Sequence, residues 1–206
     1  MFRQRDWGEL NGKTLCFLYR EDQVAATRWY VDRVLESFRN ANYKNLDLAG
    51  FYWVDEDIAY NGDLSLSVSE YIHSKNLLFY WIPYWKAVGY DKWRELDMAY
   101  LQPNHFFEEN IPDSRLEEAC KESEKNGMAI EMEFDSRALS DYEPVSFRSR
   151  MKSYINVFKD NGVFSDLPIA YYSGSRAIYE MYKSEDERDK EIMDELCELI
   201  VERHKK

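Results

Sequence analysis

Six times along its 206 residues the chain follows a short apolar run with a segment of helical periodicity, and this rhythm constrains the fold more than any other property. The runs are Thr14–Arg20, Leu46–Val54, Leu77–Trp85, Met98–Asn104, Met128–Asp135 and Pro168–Ser173. The first helix spans about Gln23–Asn40, striped by Val24, Val31, Leu35 and Phe38. A second, near Ser67–Ser74, opens on the capping-box pair Ser67 and Glu70, and a short one covers Tyr90–Leu96. The next is capped by Asp113 or Ser114 and stopped by Gly127. Ser146–Asp160 carries the stripe Phe147, Met151, Tyr154, Ile155 and Phe158, and Glu185–Arg203 turns Ile192, Leu196, Leu199 and Ile200 inward. Strands that alternate with helices lie in a parallel sheet covered on both faces, so the fold class is α/β. With no linker, repeat or low-complexity tract, residues 1–206 read as a single domain.

An open doubly wound sheet and a (β/α) barrel of TIM type both produce this rhythm. The doubly wound reading prefers a glycine-rich phosphate turn after the first strand. Here that turn is Tyr19-Arg20-Glu21-Asp22-Gln23, and none of the eight glycines forms a dinucleotide or P-loop pattern. Later strand ends carry Trp, Tyr, Gln, Asn, Asp and Glu, as the catalytic rim of a barrel does, which favours the barrel. Six βα units fall short of eight, so the expected barrel is incomplete.

The run MAIEMEFD, Met128–Asp135, sets Ile130, Met132 and Phe134 on one face and Glu131, Glu133 and Asp135 on the other. On a half-exposed antiparallel strand those acids would simply be solvated. Between two helices the strand belongs in a covered parallel sheet, where buried carboxylates are costly unless a site uses or pairs them.

A net charge of −12 without a Lys/Arg cluster argues against nucleic-acid binding. The 16 Tyr, 11 Phe and 6 Trp can build a core or stack on sugars. Cys16, Cys120 and Cys197 are too few and too far apart for a disulfide framework or a zinc site, and read as buried small hydrophobes. Three histidines, none paired at i, i+4, give no histidine-based metal site, and no cofactor is expected. An oxygen-ligand site for calcium or magnesium from Asp55, Asp57, Glu131 and Glu133 stays open. No signal peptide stands at the N-terminus as written, and no run is long enough for a membrane span.

Four stretches carry a resemblance: GFYWVDED (Gly50–Asp57), YIHSKNLLFYWIPYWKAVGY (Tyr71–Tyr90), DMAYLQPNHFF (Asp97–Phe107) and GMAIEMEFD (Gly127–Asp135). They resemble a bacterial family catalogued as domain of unknown function 4855, over nearly all of the chain after about Thr14. Family members look longer at the N-terminus, which implies that this chain is the later part of a barrel, N-terminally truncated, with its six strands counting as three to eight. The resemblance also suggests a secreted or periplasmic protein. Asp55-Glu56-Asp57 would then end strand four and Glu131 and Glu133 would lie on strand seven. That is similar to the largest clan of retaining glycosidase barrels, although Asp55 stands where the clan usually has Asn.

Glycoside hydrolysis needs one carboxyl to protonate the leaving group and one to attack or to activate water. The expected assignment is Glu56 as general acid/base and Glu133 as nucleophile, with Glu131 deeper and supporting; the choice between Glu131 and Glu133 stays open. Trp53, Tyr84, Trp85 and Tyr172 end strands and can stack on pyranose rings or merely pack. Asp55 flanks the acid/base, and Gln102 and Asn104 suit sugar hydroxyls or a polar layer of their own. His105 follows at the rim, and Asp135 would bind a hydroxyl or cap a turn. The expected partner is an oligo- or polysaccharide, cleaved or only held. The rival is an inactive barrel fragment whose open edges await missing N-terminal strands or self-associate.

Overall fold

The computed structural model describes residues 6–60, 62–174 and 176–203. It divides into two compact units, Met1–Trp81 with Asp91–Met98, and Ile82–Tyr90 with Ala99–Lys206.

The first unit opens with an antiparallel hairpin, β1 (Asp6–Leu10) against β2 (Lys13–Cys16). Asn11 and Gly12 form the turn with φ of 52° and 79°. Positive φ at both central residues is what primed hairpin turns need, and Asn-Gly supplies it with little strain. The expected parallel strand Thr14–Arg20 is therefore corrected: its first residues are the return arm of the hairpin, and helix α1 (Arg20–Ala41) begins at its last. Buried Asp22 ties the two elements, accepting from the Cys16 N–H at 2.9 Å and from Lys13 Nζ at 2.5 Å. After α1, β3 (Gly50–Trp53) pairs in parallel with β4 (Leu78–Trp81), and α2 (Gly62–His73) connects them. Ser67 and Glu70 lie inside α2 rather than at its start. Both strands are shorter than the apolar runs that announce them.

Gly50 faces Leu78 in this register, and a Cβ there would stand 2.1 Å from the Leu78 carbonyl oxygen. Gly50→Ala should force β3 off β4 and cost about 1–3 kcal/mol, as overpacking does. Urea unfolding measures it, and a loss below about 0.5 kcal/mol would contradict the close approach.

In the second unit three parallel strands run in the order β5 (Met98–Leu101, within this unit from Ala99), β6 (Ala129–Phe134) and β7 (Ile169–Ser173). Ile130 sits level with Leu101 on one side and Ile169 on the other. Helix α3 (Ser114–Asn126) ends on Gly127, whose φ of 63° makes the left-handed cap expected of it. Phe147, Met151, Tyr154, Ile155 and Phe158, the stripe at and along α4 (Arg148–Asp160), are all buried. Two short helices, α5 (Val163–Asp166) and α6 (Ala177–Lys183), were not expected, and α7 (Glu187–Arg203) closes the unit. On α7, Ile192 and Leu196 are buried, whereas Leu199 and Ile200 are only half-buried. Residues Tyr90–Glu95 form a 3-10 turn, not an α-helix.

The described residues are thus mixed α/β with five strands in parallel pairings, two in one unit and three in the other. The remaining expected βα strand, Thr14–Arg20, supplies the hairpin arm instead. Among the described residues no helix is long and apolar enough to cross a membrane. Of the cysteines only Cys120 is wholly inside, where burial pushes its thiol up to about 12; Cys16 is half-buried and Cys197 is exposed on the outer face of α7. The expectation of three buried thiols is corrected accordingly.

Candidate functional site

All six residues of β6 are buried, on both faces, with Glu131 3% and Glu133 2% exposed. The covered-strand reading of Met128–Asp135 therefore holds, and the acids on it need partners. Glu133 finds two at one oxygen. The backbone N–H of Asn104 donates to its Oε2 at 2.8 Å, and so does the Tyr154 hydroxyl at 2.8 Å. Burial, then the charge of Glu133, then this hydrogen bond raise the Tyr154 pKa well above that of an ordinary phenol. Tyr154 thus stays protonated and donates, holding the carboxylate of Glu133 in one orientation. Donors to an ionised acceptor form the stronger class of hydrogen bond.

Asn104 is the joint of the site. The chain leaves β5 and turns at Asn104 with φ of 50°, a left-handed conformation that Asn tolerates better than most residues. Its side-chain oxygen accepts the Trp85 N–H at 2.6 Å, and its Nδ2 reaches Gln102 Oε1 at 3.4 Å. The Gln102 N–H donates to the Pro83 carbonyl at 2.9 Å. One turn therefore links the segment carrying Tyr84 and Trp85 to the end of β6. Over the Trp85 ring stand the Arg115 guanidinium, 4.8 Å from the centroid, and Lys86 Nζ at 5.2 Å.

His105 is fully buried, so it lies behind the Asn104 turn rather than at an open rim. Its Nε2 meets Asp113 Oδ1 at 2.7 Å, its Nδ1 has no hydrogen-bond partner, and its ring packs edge-on against Tyr154 at 5.3 Å. Burial holds the imidazole below its ordinary pKa against the pull of Asp113, and the nearby Arg150 charge adds to the depression. The neutral ring then donates from Nε2. Burial pushes the Asp113 carboxyl up, but hydrogen bonds from Ser153 (2.6 Å) and His105 bring it below the usual range. The expected Asp113 cap on α3 makes no side-chain cap bond, because the carboxylate is spent on these two partners. Arg150 Nη2 fastens the segment further, donating to the carbonyls of His105, Glu108 and Ile111.

At the end of β6, Asp135 accepts from the backbone N–H of Arg137 at 2.9 Å and from its Nε at 3.0 Å, acting as a turn cap. The Arg137 guanidinium lies 4.7 Å from the Phe147 ring centroid and 5.1 Å from that of Phe107. Tyr172 is level with Glu133 on the neighbouring strand, half-exposed, with its ring edge-on to Phe107 at 5.8 Å.

Trp53, Asp55 and Glu56 belong to the first unit. Asp55 and Glu56 are exposed just beyond β3, and Asp57 accepts the Ala59 N–H at 3.0 Å. The Asp55 carbonyl accepts from Trp81 Nε1 at 2.7 Å. Trp53 packs edge-on against Phe79 at 6.0 Å, and its buried Nε1 has no hydrogen-bond partner. Trp53 and Asp55 help line a cavity of about 680 Å³, together with Tyr30 and Val34 of α1 and Phe51 of β3. Among the described residues no three His, Cys, Asp or Glu side chains are grouped to hold a metal ion.

Residues 1–198 match the family described as "Domain of unknown function (DUF4855)". The chain belongs to that family. No curated protein and no solved structure matches it. In this DUF4855 chain the structure gathers Trp85, Gln102, Asn104, His105 and Glu133 around one turn of the second unit. Three participants were not singled out from the sequence. In the sequence Tyr154 belongs to a core stripe, Asp113 is a candidate helix cap, and Arg115 carries no signal of its own. Their side-chain reach has no signature in spacing.

Proposed function

We propose that this domain is carbohydrate-active, a glycoside-hydrolase-like barrel of TIM type that cleaves a glycan between paired carboxylates. The observation that carries the reading is the fixed orientation of Glu133, whose Oε2 takes donors from Asn104 and Tyr154. A nucleophilic carboxylate needs such donors, because they keep it ionised and aimed at the anomeric carbon. In this reading Glu133 attacks the anomeric carbon, a second carboxyl, for which the sequence offers Glu56, protonates the departing oxygen and later activates water, and Glu131 has a supporting role from deeper on the strand. Trp85, Tyr172 and Trp53 stack on sugar rings; Gln102 bonds hydroxyls. His105 and Asn104 serve by holding the turn, and Asp135 by capping the strand end.

A second reading is a glycan-binding module without turnover. It is favoured by the 2% exposure of Glu133, since a nucleophile must be reached by substrate. Incubating the full chain with a panel of plant, algal and bacterial polysaccharides, and assaying both reducing-end release and binding, separates the two. Reducing ends from one polymer class are expected. Binding without release supports the module, and neither binding nor release across the panel contradicts both.

A further inference from the structure

We infer that the glycan this site takes is anionic, and that its carboxylate or sulfate group is held beside Trp85 by Arg115 and Lys86. The inference rests on the carbohydrate reading and names its substrate class. It starts from a local reversal of charge. The chain carries 39 acidic against 27 basic side chains, yet two cations converge on one indole. Neither has a close carboxylate partner. The nearest carboxylate recorded for Arg115 is that of Glu118, 4.0 Å away and mostly exposed, and Lys86 has no ion pair among the described residues.

Both cations also sit where the backbone disfavours them. Arg115 lies in the first turn of α3, where the helix dipole opposes positive charge. Lys86 has a φ of 56°, a left-handed conformation uncommon outside glycine and asparagine. Strain of this kind persists where the surrounding structure enforces it, often at binding sites.

The arrangement is pre-organised. Arg115 Nη1 is anchored on the Pro103 carbonyl at 3.3 Å, while its Nε is buried without a hydrogen-bond partner. The Trp85 backbone N–H donates to the Asn104 side-chain oxygen, and the Asn104 backbone N–H donates to Glu133. Asn104 therefore bridges the Trp85 backbone to the proposed nucleophile. A neutral sugar would leave both charges beside the indole without a counter-charge from the ligand. An anionic sugar beside the indole would bring its charged group to these cations, with a guanidinium suited to two-point capture.

The test pairs each acidic oligosaccharide with a neutral twin of the same linkages: uronate oligomers with their carboxyl-reduced forms, sulfated oligomers with their desulfated forms. Binding to the full chain is measured by calorimetry at low and high salt. One acidic member is expected to bind at least about tenfold tighter than its twin, and the advantage should shrink with salt. Arg115→Gln should abolish the advantage, and Arg115→Lys should restore part of it. Lys86→Gln, at an exposed position, should weaken it in the same sense without the risk to α3 packing. A preference confined to uronate pairs assigns a carboxylate, and one confined to sulfated pairs assigns a sulfate ester. Equal binding within every pair, or binding of neutral glycans only, overturns the inference and leaves the carbohydrate reading standing. No glycan bound at all overturns both.

Discussion

Glu133→Gln is expected to abolish turnover, by a factor on the order of 10³ or more, while leaving the fold and glycan binding nearly intact. Glutamine keeps the shape of glutamate, and its carbonyl oxygen can still accept from the Asn104 N–H and the Tyr154 hydroxyl. It cannot attack an anomeric carbon as a carboxylate does. Stability should change by less than about 1 kcal/mol, since the donors keep an acceptor. Glu133→Leu is the contrasting variant: it strands a backbone N–H and a buried phenol at about 1–3 kcal/mol each, so stability and function fall together. Reducing-end release and unfolding midpoints, measured on both variants, separate the chemical role from the structural one. Full activity of Glu133→Gln would remove Glu133 from the mechanism.

Asp189→Ala should cost the second unit about 3–5 kcal/mol, the usual cost of stripping one partner from a buried charged network. Asp189 is wholly buried on α7. One carboxylate oxygen accepts from the Ser140 N–H at 2.9 Å, from the Ser140 hydroxyl at 2.6 Å and from Arg148 at 3.4 Å; the other accepts from Ser184 at 2.8 Å. Alanine leaves all these donors without their acceptor, and it releases α7 from the segments before α4 and after α6. A domain holds only about 5–15 kcal/mol in total, so the loss should lower the urea midpoint markedly and expose the unit to proteolysis. Asp189→Asn, which retains one acceptor, should fall between. A cost below about 1 kcal/mol for the alanine variant would mean that the network does not form.

Much of the second unit was readable because its signals are physical and local. Gly127 ends α3 because only a residue at ease with φ of 63° can make that cap. The stripe from Phe147 to Phe158 has one period and one buried face. The run of alternating acids in β6 was legible as a covered strand from its neighbours, and the burial of Glu131 and Glu133 agrees. Where the structure departs from the sequence expectation, a competing local rule prevails. Asn11-Gly12 between alternating residues is a hairpin signal, and it outweighs the apolar run that follows. Ser67 and Glu70 have capping-box spacing, but α2 already starts at Gly62, so the pair falls inside it. At the site, the strand-end residues could be named in advance, whereas Tyr154, Asp113 and Arg115 could not. Each lies on or at the start of a helix, and which side chain it meets depends on packing that no spacing rule encodes.

The most direct test of the carbohydrate reading is the distance between the carboxyl groups of Glu56 and Glu133 in a crystal of the domain with an oligosaccharide bound. About 5–5.5 Å would mark a retaining pair, the result the account predicts, and roughly 6.5–9.5 Å would keep the chemistry with inversion. A separation well beyond that, with the sugar touching neither carboxyl, would contradict it.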